Sequence, residues 1–193
     1  AENHGFRATF MPKPFKNLTG NGCHSHISCW DLEEDTSLFF AENKDPLSDL
    51  GKEFLGGILY HAEAMACLLN PCVNSYRRTQ ASNTSSGSTW APRNISWTNN
   101  NRTHMIRIPE DGRFELRLAD GAVNPYLLNA AVLASGLLGI ENKYKLPEQL
   151  LTNNFEVENN NSKLLPSNLG DAITKLKTDH VFIKKIGADF ISK

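Results

Sequence analysis

The sequence predicts an α+β fold, in which an antiparallel sheet carries the candidate active-site residues and helices pack behind it. Two patterns indicate this arrangement. Residue types alternate from Cys23 to Trp30, as they do along a strand with two different faces. Apolar residues recur at helical spacing from Leu50 to Leu69 and run almost without interruption from Leu127 to Ile140. With 193 residues, 40% of them hydrophobic, the chain is long enough for one domain with its own core.

Four segments are predicted to be strands: Phe6–Met11, Cys23–Trp30, His104–Pro109 and Arg113–Leu118. The first ends at Pro12, because proline cannot donate a hydrogen bond to a sheet ladder. In the second, His24, His26 and Ser28 share one face, because alternate residues of a strand point the same way.

Helix boundaries are predicted from capping residues. Ser48 suits the N-cap of a helix that stops before Pro71. Asn124–Pro125 opens another helix, with asparagine as the cap and proline at the first position, and its apolar run predicts burial on most sides. Two further helices and one long loop are predicted: Ser167–Lys177, Asp179–Ser192 and the Ser-, Thr- and Asn-rich segment Gln80–Asn101.

The overall charge and composition argue against several classes of protein. A formal net charge of -1 does not favour electrostatic binding to nucleic acid. No apolar run approaches the roughly 20 residues that a membrane span requires, so no membrane partner is expected. The four cysteines lack the Cys-x-x-Cys spacing of zinc or redox sites and suggest no disulfide framework, which favours a cytoplasmic location.

The arginines are distributed unevenly along the chain. Seven of the eight lie between Arg77 and Arg117, whereas no lysine occurs between Lys52 and Lys143. The span from Pro71 to Ala122 contains only four acidic residues, which cannot neutralise seven guanidiniums. Because arginine presents a planar, permanently charged fork to carboxylates and phosphates, this excess predicts a site that binds anions.

Two short patterns could carry chemistry. His24, His26 and Ser28 are spaced about 7 Å apart per step along one strand face. The two histidines suit two metal ligands, or one ligand and one hydrogen-bonding group, and a solvent-facing polar strand would show the same pattern. Glu115 and Arg117 repeat this spacing on another strand, where a half-neutralised sheet face is the common explanation.

Several segments, taken together and in their order along the chain, resemble the glutamine synthetase family. The resemblance covers residue 1 to about residue 145, and it rests on many motifs in the family's order. These motifs are Ala8–Pro14, Gly22–Ser28, Asn70–Pro71, Asn74–Arg78, Asn101–Arg102, Ile106–Pro109, Arg113–Arg117 and Asp120–Leu127.

The resemblance implies a role for each matching position. His24 and Glu115 correspond to ligands of the metal nearer the ATP phosphates, and Arg102 to the residue on the transferring phosphoryl group, so that Arg102 and His24 are the implied catalytic residues. The implied ATP-binding residues are His26, Ser28, Arg107 and Arg113. The implied glutamate-binding residues are Gly20, through its backbone, Arg78 and Arg117.

The family activity is ATP-dependent ligation of ammonia to the γ-carboxylate of glutamate through γ-glutamyl phosphate, which gives glutamine, ADP and phosphate. Two anions meet in this reaction, so divalent metals and fixed guanidiniums must offset their repulsion. Mg²⁺ or Mn²⁺ is the implied cofactor, and the imidazole ligand leans slightly towards Mn²⁺. The alternatives are a γ-glutamyl ligase for methylamine or another small amine, and a non-catalytic paralogue that binds glutamate or nucleotide.

One loop departs from the common family pattern. After the Arg78 position the family carries a Val-Pro-Gly-x-Glu-Ala-Pro motif, whose glutamate helps to hold ammonium. Here Thr79–Pro92 is longer, and Trp90 aligns with that glutamate. Together with Asn101–Met105, this loop resembles the type III or GlnT-like subgroup, which includes γ-glutamylmethylamide synthetases. An indole offers an apolar wall and a cation–π face, so Trp90 is a candidate residue of the amine site.

The resemblance also predicts how the domain is divided. We expect residues 1–193 to be the C-terminal part of a catalytic domain, without the N-terminal β-grasp domain and the upstream strands that supply a Glu-x-Glu metal motif. The chain alone is therefore expected not to turn over substrate, and the parent protein is expected to form a homo-oligomer.

Overall fold

The structure is a computed structural model that describes residues 1–43, 45–81, 90–154 and 162–192. Within these ranges an α+β fold is present, as predicted. The strands are β1 (Ser25–Ile27), β2 (Trp97–Thr98), β3 (Ile106–Glu110) and β4 (Arg113–Leu116). The helices are α1 (Asp49–Tyr60), α2 (Ala62–Leu69), α3 (Val73–Thr79), α4 (Pro125–Asn142), α5 (Leu169–Thr178), α6 (His180–Ile186) and α7 (Ala188–Ile191), and a 3₁₀ turn covers Glu2–His4.

The four strands form one sheet in the order β1-β4-β3-β2. The β1–β4 and β4–β3 pairs are antiparallel, which confirms the predicted sheet, whereas β2 runs parallel to β3. β2 lies inside the predicted loop Gln80–Asn101. Residues 82–89 of that loop lie outside the described residues.

The predicted strand Phe6–Met11 is wrong. These residues have no strand partner among the described residues, and Phe6 and Phe10 are largely exposed. The predicted strand Cys23–Trp30 is shortened to β1, but exposure still alternates along all eight residues, with His24, His26 and Ser28 on the more exposed face. The alternation of residue types therefore identified the two faces correctly, although it overestimated the length of the hydrogen-bonded strand.

The first predicted helix is divided into two. Ser48 is its N-cap, as predicted, and its hydroxyl accepts a hydrogen bond of 3.1 Å from the amide of Gly51. The helix breaks at His61, whose Nδ1 lies 2.6 Å from a carboxylate oxygen of Asp179. α3, a short helix immediately after α2, was not predicted.

α4 is capped by Asn124, as predicted, and it packs closely against α1. A Cβ added to Gly57 would lie 2.0 Å from the carbonyl oxygen of Ser135, so only glycine permits this approach. Much of α4 is buried, although Leu133 and Leu137 face outwards. No helix in the described part of the chain is both long and apolar enough to cross a bilayer.

An aromatic cluster fixes β4 against the helices. The rings of Phe39 and Phe54 lie 5.2 Å apart, and Phe114 of β4 stacks on Phe39 at 6.0 Å. All three rings are buried. Since Phe114 points into this core, its neighbour Glu115 points to the opposite face of the sheet.

Candidate active site

Three functional side chains lie side by side across the sheet. The strand register pairs His26 of β1 with Glu115 of β4, and Glu115 with Arg107 of β3. Because paired residues on adjacent strands project from the same face, the register alone brings an imidazole, a carboxylate and a guanidinium together. This side of the sheet is called the polar face below.

Glu115 is the centre of the polar face. Its Oε1 accepts a hydrogen bond of 2.9 Å from Arg117 and lies 3.1 Å from Nδ1 of His24. Its Oε2 lies 3.0 Å from Nε of Arg107. Glu115 Oε2 and Arg107 Nε form no hydrogen bond with each other or with any other described residue, so their interaction is an attraction between charges. One carboxylate thus contacts two guanidiniums and one imidazole.

The protonation states follow from these neighbours. Burial would raise the pKa of Glu115, but the charges of Arg117 and Arg107 outweigh it and hold that pKa below its usual value. Burial, together with the charge of Arg117, lowers the pKa of His24 to about 4. At neutral pH the carboxylate is therefore ionised and the imidazole is neutral.

Arg78 reaches the polar face from α3. Its guanidinium is buried and donates to the carbonyl oxygens of Leu118, at 3.0 Å, and Arg117, at 3.3 Å. Burial lowers its pKa to about 10, which leaves it charged at neutral pH. Among the described residues, no carboxylate lies within ion-pair distance of this guanidinium, so its charge is available to an anion.

Gly20 lies directly against Arg78. A Cβ at Gly20 would stand 2.6 Å from the carbonyl oxygen of Pro12 and 3.0 Å from Cγ of Arg78. The loop is held to α3 by a reciprocal pair: the amide of Lys13 donates to Asn74 Oδ1 at 2.6 Å, and Asn74 donates back to the Lys13 carbonyl at 3.0 Å. The sequence motifs contain Lys13 and Asn74, but no role was predicted for either.

Arg113 and Ser28 lie at the exposed end of the polar face. Arg113 donates to Nδ1 of His26 and, at 2.7 Å, to a carboxylate oxygen of Glu110. The hydroxyl of Ser28 accepts a hydrogen bond of 3.1 Å from the indole of Trp30. Ser28 is on the predicted face, but within the described residues its hydroxyl bonds to Trp30 and not to the Glu115 cluster.

Arg102 and Trp90 border the site from loops. Arg102 is exposed, and its charge is close enough to lower the pKa of Arg117 further, in addition to the effect of burial. The carbonyl oxygen of Trp90 accepts a hydrogen bond of 3.4 Å from Arg117, and the Trp90 side chain is 45% exposed. Its φ of 52° is rare for a bulky residue. The amine role of its indole stays a prediction.

His24 and Glu115 could supply part of the ligand set of a divalent cation. The neutral His24 and the ionised Glu115 have the protonation states that a metal requires of its ligands. Oε2 of Glu115 is buried, and within the described residues it accepts no hydrogen bond, although it lies beside the charge of Arg107. Within the described ranges, however, no group of three or more His, Cys, Asp or Glu side chains is arranged to hold a metal ion. These two residues would be part of a larger ligand set.

Comparison with known proteins agrees with this chemistry. The chain matches the family "Glutamine synthetase, catalytic domain" over residues 1–193. It is 51% identical to a glutamine synthetase of Rhizobium meliloti over 98% of this chain and 44% of the relative. It is 52% identical to one of Rhizobium leguminosarum bv. phaseoli over 100% of this chain and 45% of the relative. The chain thus spans less than half the length of these curated relatives.

Two solved structures of a GmaS, a γ-glutamylmethylamide synthetase, share the fold. A GmaS/ADP complex is 44% identical with a TM-score of 0.87, and the match covers 100% of this chain and 48% of that one. An apo GmaS is 43% identical with a TM-score of 0.88, covering 100% and 47%. The family resemblance predicted from the motifs is confirmed.

Proposed function

The chain belongs to the glutamine synthetase family, and we propose that it forms the C-terminal part of the catalytic domain of an ATP-dependent ligase. The proposed enzyme joins ammonia to the γ-carboxylate of glutamate through γ-glutamyl phosphate, and it releases glutamine, ADP and phosphate. The observation that carries this proposal is the polar face itself, where Glu115 lies among Arg107, Arg117 and His24 within 3.1 Å. The cluster has more positive charge than its own carboxylate can offset.

The surplus positive charge would favour phosphoryl transfer to a carboxylate. Both reactants are anions, and guanidiniums that are already in position stabilise the charge that they share in the transition state. We assign the glutamate carboxylates to Arg78 and Arg117, with the backbone at Gly20 near the amino acid. The phosphates of ATP are assigned to four residues: His26, Ser28, Arg107 and Arg113. Arg102 is assigned to the transferring phosphoryl group.

Members of the family use divalent metals, and we assign His24 and Glu115 to one of them in this protein. Mg²⁺ or Mn²⁺ bound there would supply positive charge next to the phosphate oxygens. The remaining ligands are proposed to come from outside residues 1–193. If so, this chain alone should not hydrolyse ATP faster when Mg²⁺ or Mn²⁺ is added, and an acceleration measured with the isolated chain would contradict the proposal.

A second candidate function has a specific observation in its favour. The solved structures above are of a GmaS, and the family resemblance implies that Trp90 stands at the position of the ammonium-binding glutamate of other members. An aromatic side chain favours an amine that carries a methyl group over bare ammonium. A γ-glutamyl ligase for methylamine is therefore the alternative proposal.

The deciding experiment measures ADP release by the complete protein that contains this chain. ATP, Mg²⁺ and glutamate are supplied with either ammonium or methylamine. Faster release with ammonium supports a glutamine synthetase, and faster release with methylamine supports the alternative. Release with neither amine would refute both proposals and favour a non-catalytic paralogue.

A variant of Trp90 tests its role in the choice of amine. In Trp90→Glu, a carboxylate replaces the indole, so the ratio of kcat/KM for ammonium to that for methylamine should rise about tenfold. Tyr126→Glu, which adds the same charge to an exposed position on α4, is the matched control and should leave the ratio unchanged. An unchanged ratio in Trp90→Glu would remove Trp90 from the amine site.

We also propose that the complete protein is a homo-oligomer. Large apolar side chains are exposed on this part of it, among them Phe6 at 72%, Phe10 at 71% and Leu133 at 56%. Exposed apolar surface of this kind supports contacts with further protein. Light scattering on the complete protein measures its mass, and a monomeric mass would contradict the proposal.

A further inference from the structure

His104 is fully buried behind the turn that carries Arg102, and each of its ring nitrogens has a partner. Nε2 lies 2.8 Å from the carbonyl oxygen of Thr152, and Nδ1 lies 3.0 Å from the hydroxyl of Ser96. The side-chain amide nitrogen of Asn154 is also 3.0 Å from Nδ1. None of these residues has a role in the function proposed above.

These partners determine the tautomer of His104. A carbonyl oxygen can only accept, so the hydrogen of the neutral ring must be on Nε2. Nδ1 then accepts from the Asn154 amide or the Ser96 hydroxyl, both of which can donate. Burial lowers the pKa of His104, in agreement with a neutral ring.

Hydrogen bonds also hold the residues on either side of Arg102. Asn101 Oδ1 accepts from the amide and the hydroxyl of Thr103, both at 3.0 Å. The Thr103 hydroxyl in turn accepts from the backbone amide of Asn154 at 3.1 Å. His104 follows this turn directly and links it to Thr152 and Ser96, so the backbone on either side of Arg102 is fixed although its side chain is exposed.

The turn is also joined to the polar face. The backbone amide of Arg117 donates to the carbonyl oxygen of Met105 at 2.9 Å. The positive charge of Arg102 acts on Arg117 from this side. A shift of the turn would therefore change the distance between the Arg102 guanidinium and the groups around Glu115.

We propose that His104, as the neutral Nε2–H tautomer, is a positioning residue that fixes the turn carrying Arg102 for the phosphoryl-transfer step. This inference rests on the proposed ligase function. His104 itself touches no reacting atom, and it acts by tying the Arg102 turn to residues 152–154.

The first test is a set of variants in the complete protein. His104→Ala removes both bonds and should lower kcat about tenfold, with the KM values for ATP and glutamate within about twofold of wild type. His104→Gln places a side-chain amide donor near the former Nε2 and should recover part of the loss. His61→Ala, which removes a buried histidine that bonds to Asp179 and shares no partner with His104 among the described residues, is the control for general destabilisation and should leave kcat unchanged in the folded protein.

A double-mutant cycle shows whether the effect passes through Arg102. If it does, Arg102→Ala and Arg102→Ala/His104→Ala should have nearly the same kcat. Additive losses, an unchanged kcat in His104→Ala, or an equal loss in His61→Ala would each overturn the inference.

Hydrogen exchange separates this inference from the proposed function. The amides of Thr103 and Asn154 should exchange faster in His104→Ala than in wild type or His61→Ala. Unchanged exchange would refute the positioning role whatever the activity. The wild type could also be inactive while the amides of His104→Ala exchange faster. That result would refute the ligase proposal, and with it the catalytic use of Arg102, but it would support the structural link between His104 and the turn.

Discussion

The polar face of the sheet and the helical region, by which we mean α1, α2 and α4 with residues 61 and 162–192, both contain ion pairs, but solvent reaches them differently. On the polar face, the side chains of Arg117, Arg107 and Glu115 are only 3%, 10% and 5% exposed. In the helical region, Lys163 and Lys175 pair with Glu63, and these lysine side chains are 65% and 46% exposed. The lysine charges are stabilised by water, whereas the arginine charges depend on their neighbours.

This difference in exposure changes what each ion pair contributes to stability. Exposed pairs contribute little to stability, because water already solvates each partner. Buried charges are costly unless paired, and the single carboxylate of Glu115 pairs with both Arg107 and Arg117. In the proposed function a bound anion would supply the missing negative charge, and arginine suits that role better than lysine because its planar guanidinium can pair with a carboxylate or phosphate through two hydrogen bonds.

The largest expected effect is that of Glu115→Gln. Loss of the carboxylate leaves two buried guanidiniums without a counter-charge and should lower the free energy of unfolding by about 3 kcal/mol. Urea denaturation of the chain measures this change. A loss below about 1 kcal/mol would mean that water reaches Arg107 and Arg117, and the contrast with the helical region would then disappear.

Asp179→Asn tests the buried pair of the helical region and should have an intermediate effect. Asparagine can still cap α6 at the amide of Phe182, but it loses the charge that faces His61, so the variant should be destabilised by about 2 kcal/mol at pH 7. Burial would raise the pKa of Asp179, but the hydrogen bonds from His61 and Phe182 outweigh it and lower that pKa below 3.8.

The sign of the pH dependence follows from this lowered pKa. The carboxylate contributes stability above its ordinary pKa of 3.8, and the contribution is lost as the pH falls through the lower folded value. The difference between wild type and Asp179→Asn in urea should therefore narrow as the pH falls below about 4. Asp189→Asn, at an exposed position in α7, is the control; a difference that widens in acid would contradict the prediction.

The smallest expected effect is that of Glu141→Gln. Glu141 pairs with Lys185, and their side chains are 54% and 28% exposed. The change in unfolding free energy should stay within about 0.5 kcal/mol, because solvent replaces the lost partner. A value near that of Glu115→Gln would show that exposure does not separate the two regions.

Features set by neighbouring residues were predictable from the sequence. Ser48 and Asn124 cap their helices through local hydrogen bonds, and the alternation around His24 and His26 requires only the two-residue period of a strand. The polar face was also predictable, because family motifs identified Glu115 and Arg117 where their spacing alone favoured an ordinary sheet surface.

Features set by distant contacts were not predictable. At His61, where the helix breaks, the side chain contacts Asp179, which is 118 residues away in the sequence. Phe6–Met11 has the composition of a strand, but the described residues offer it no partner. The network around His104 joins segments about 50 residues apart, so nothing near His104 in the sequence indicates it.

The row of His26, Glu115 and Arg107 also has a consequence for folding. Phe114 and Leu116, both fully buried, flank Glu115 on β4. A slip of β4 by one residue would exchange its two faces, so that Glu115 would enter the core and both apolar side chains would meet water. Glu115 can therefore meet its arginines only in the register that also closes the core. The register that buries Phe114 is thus the same one that assembles the polar face, and a sheet paired one residue out of register would have neither.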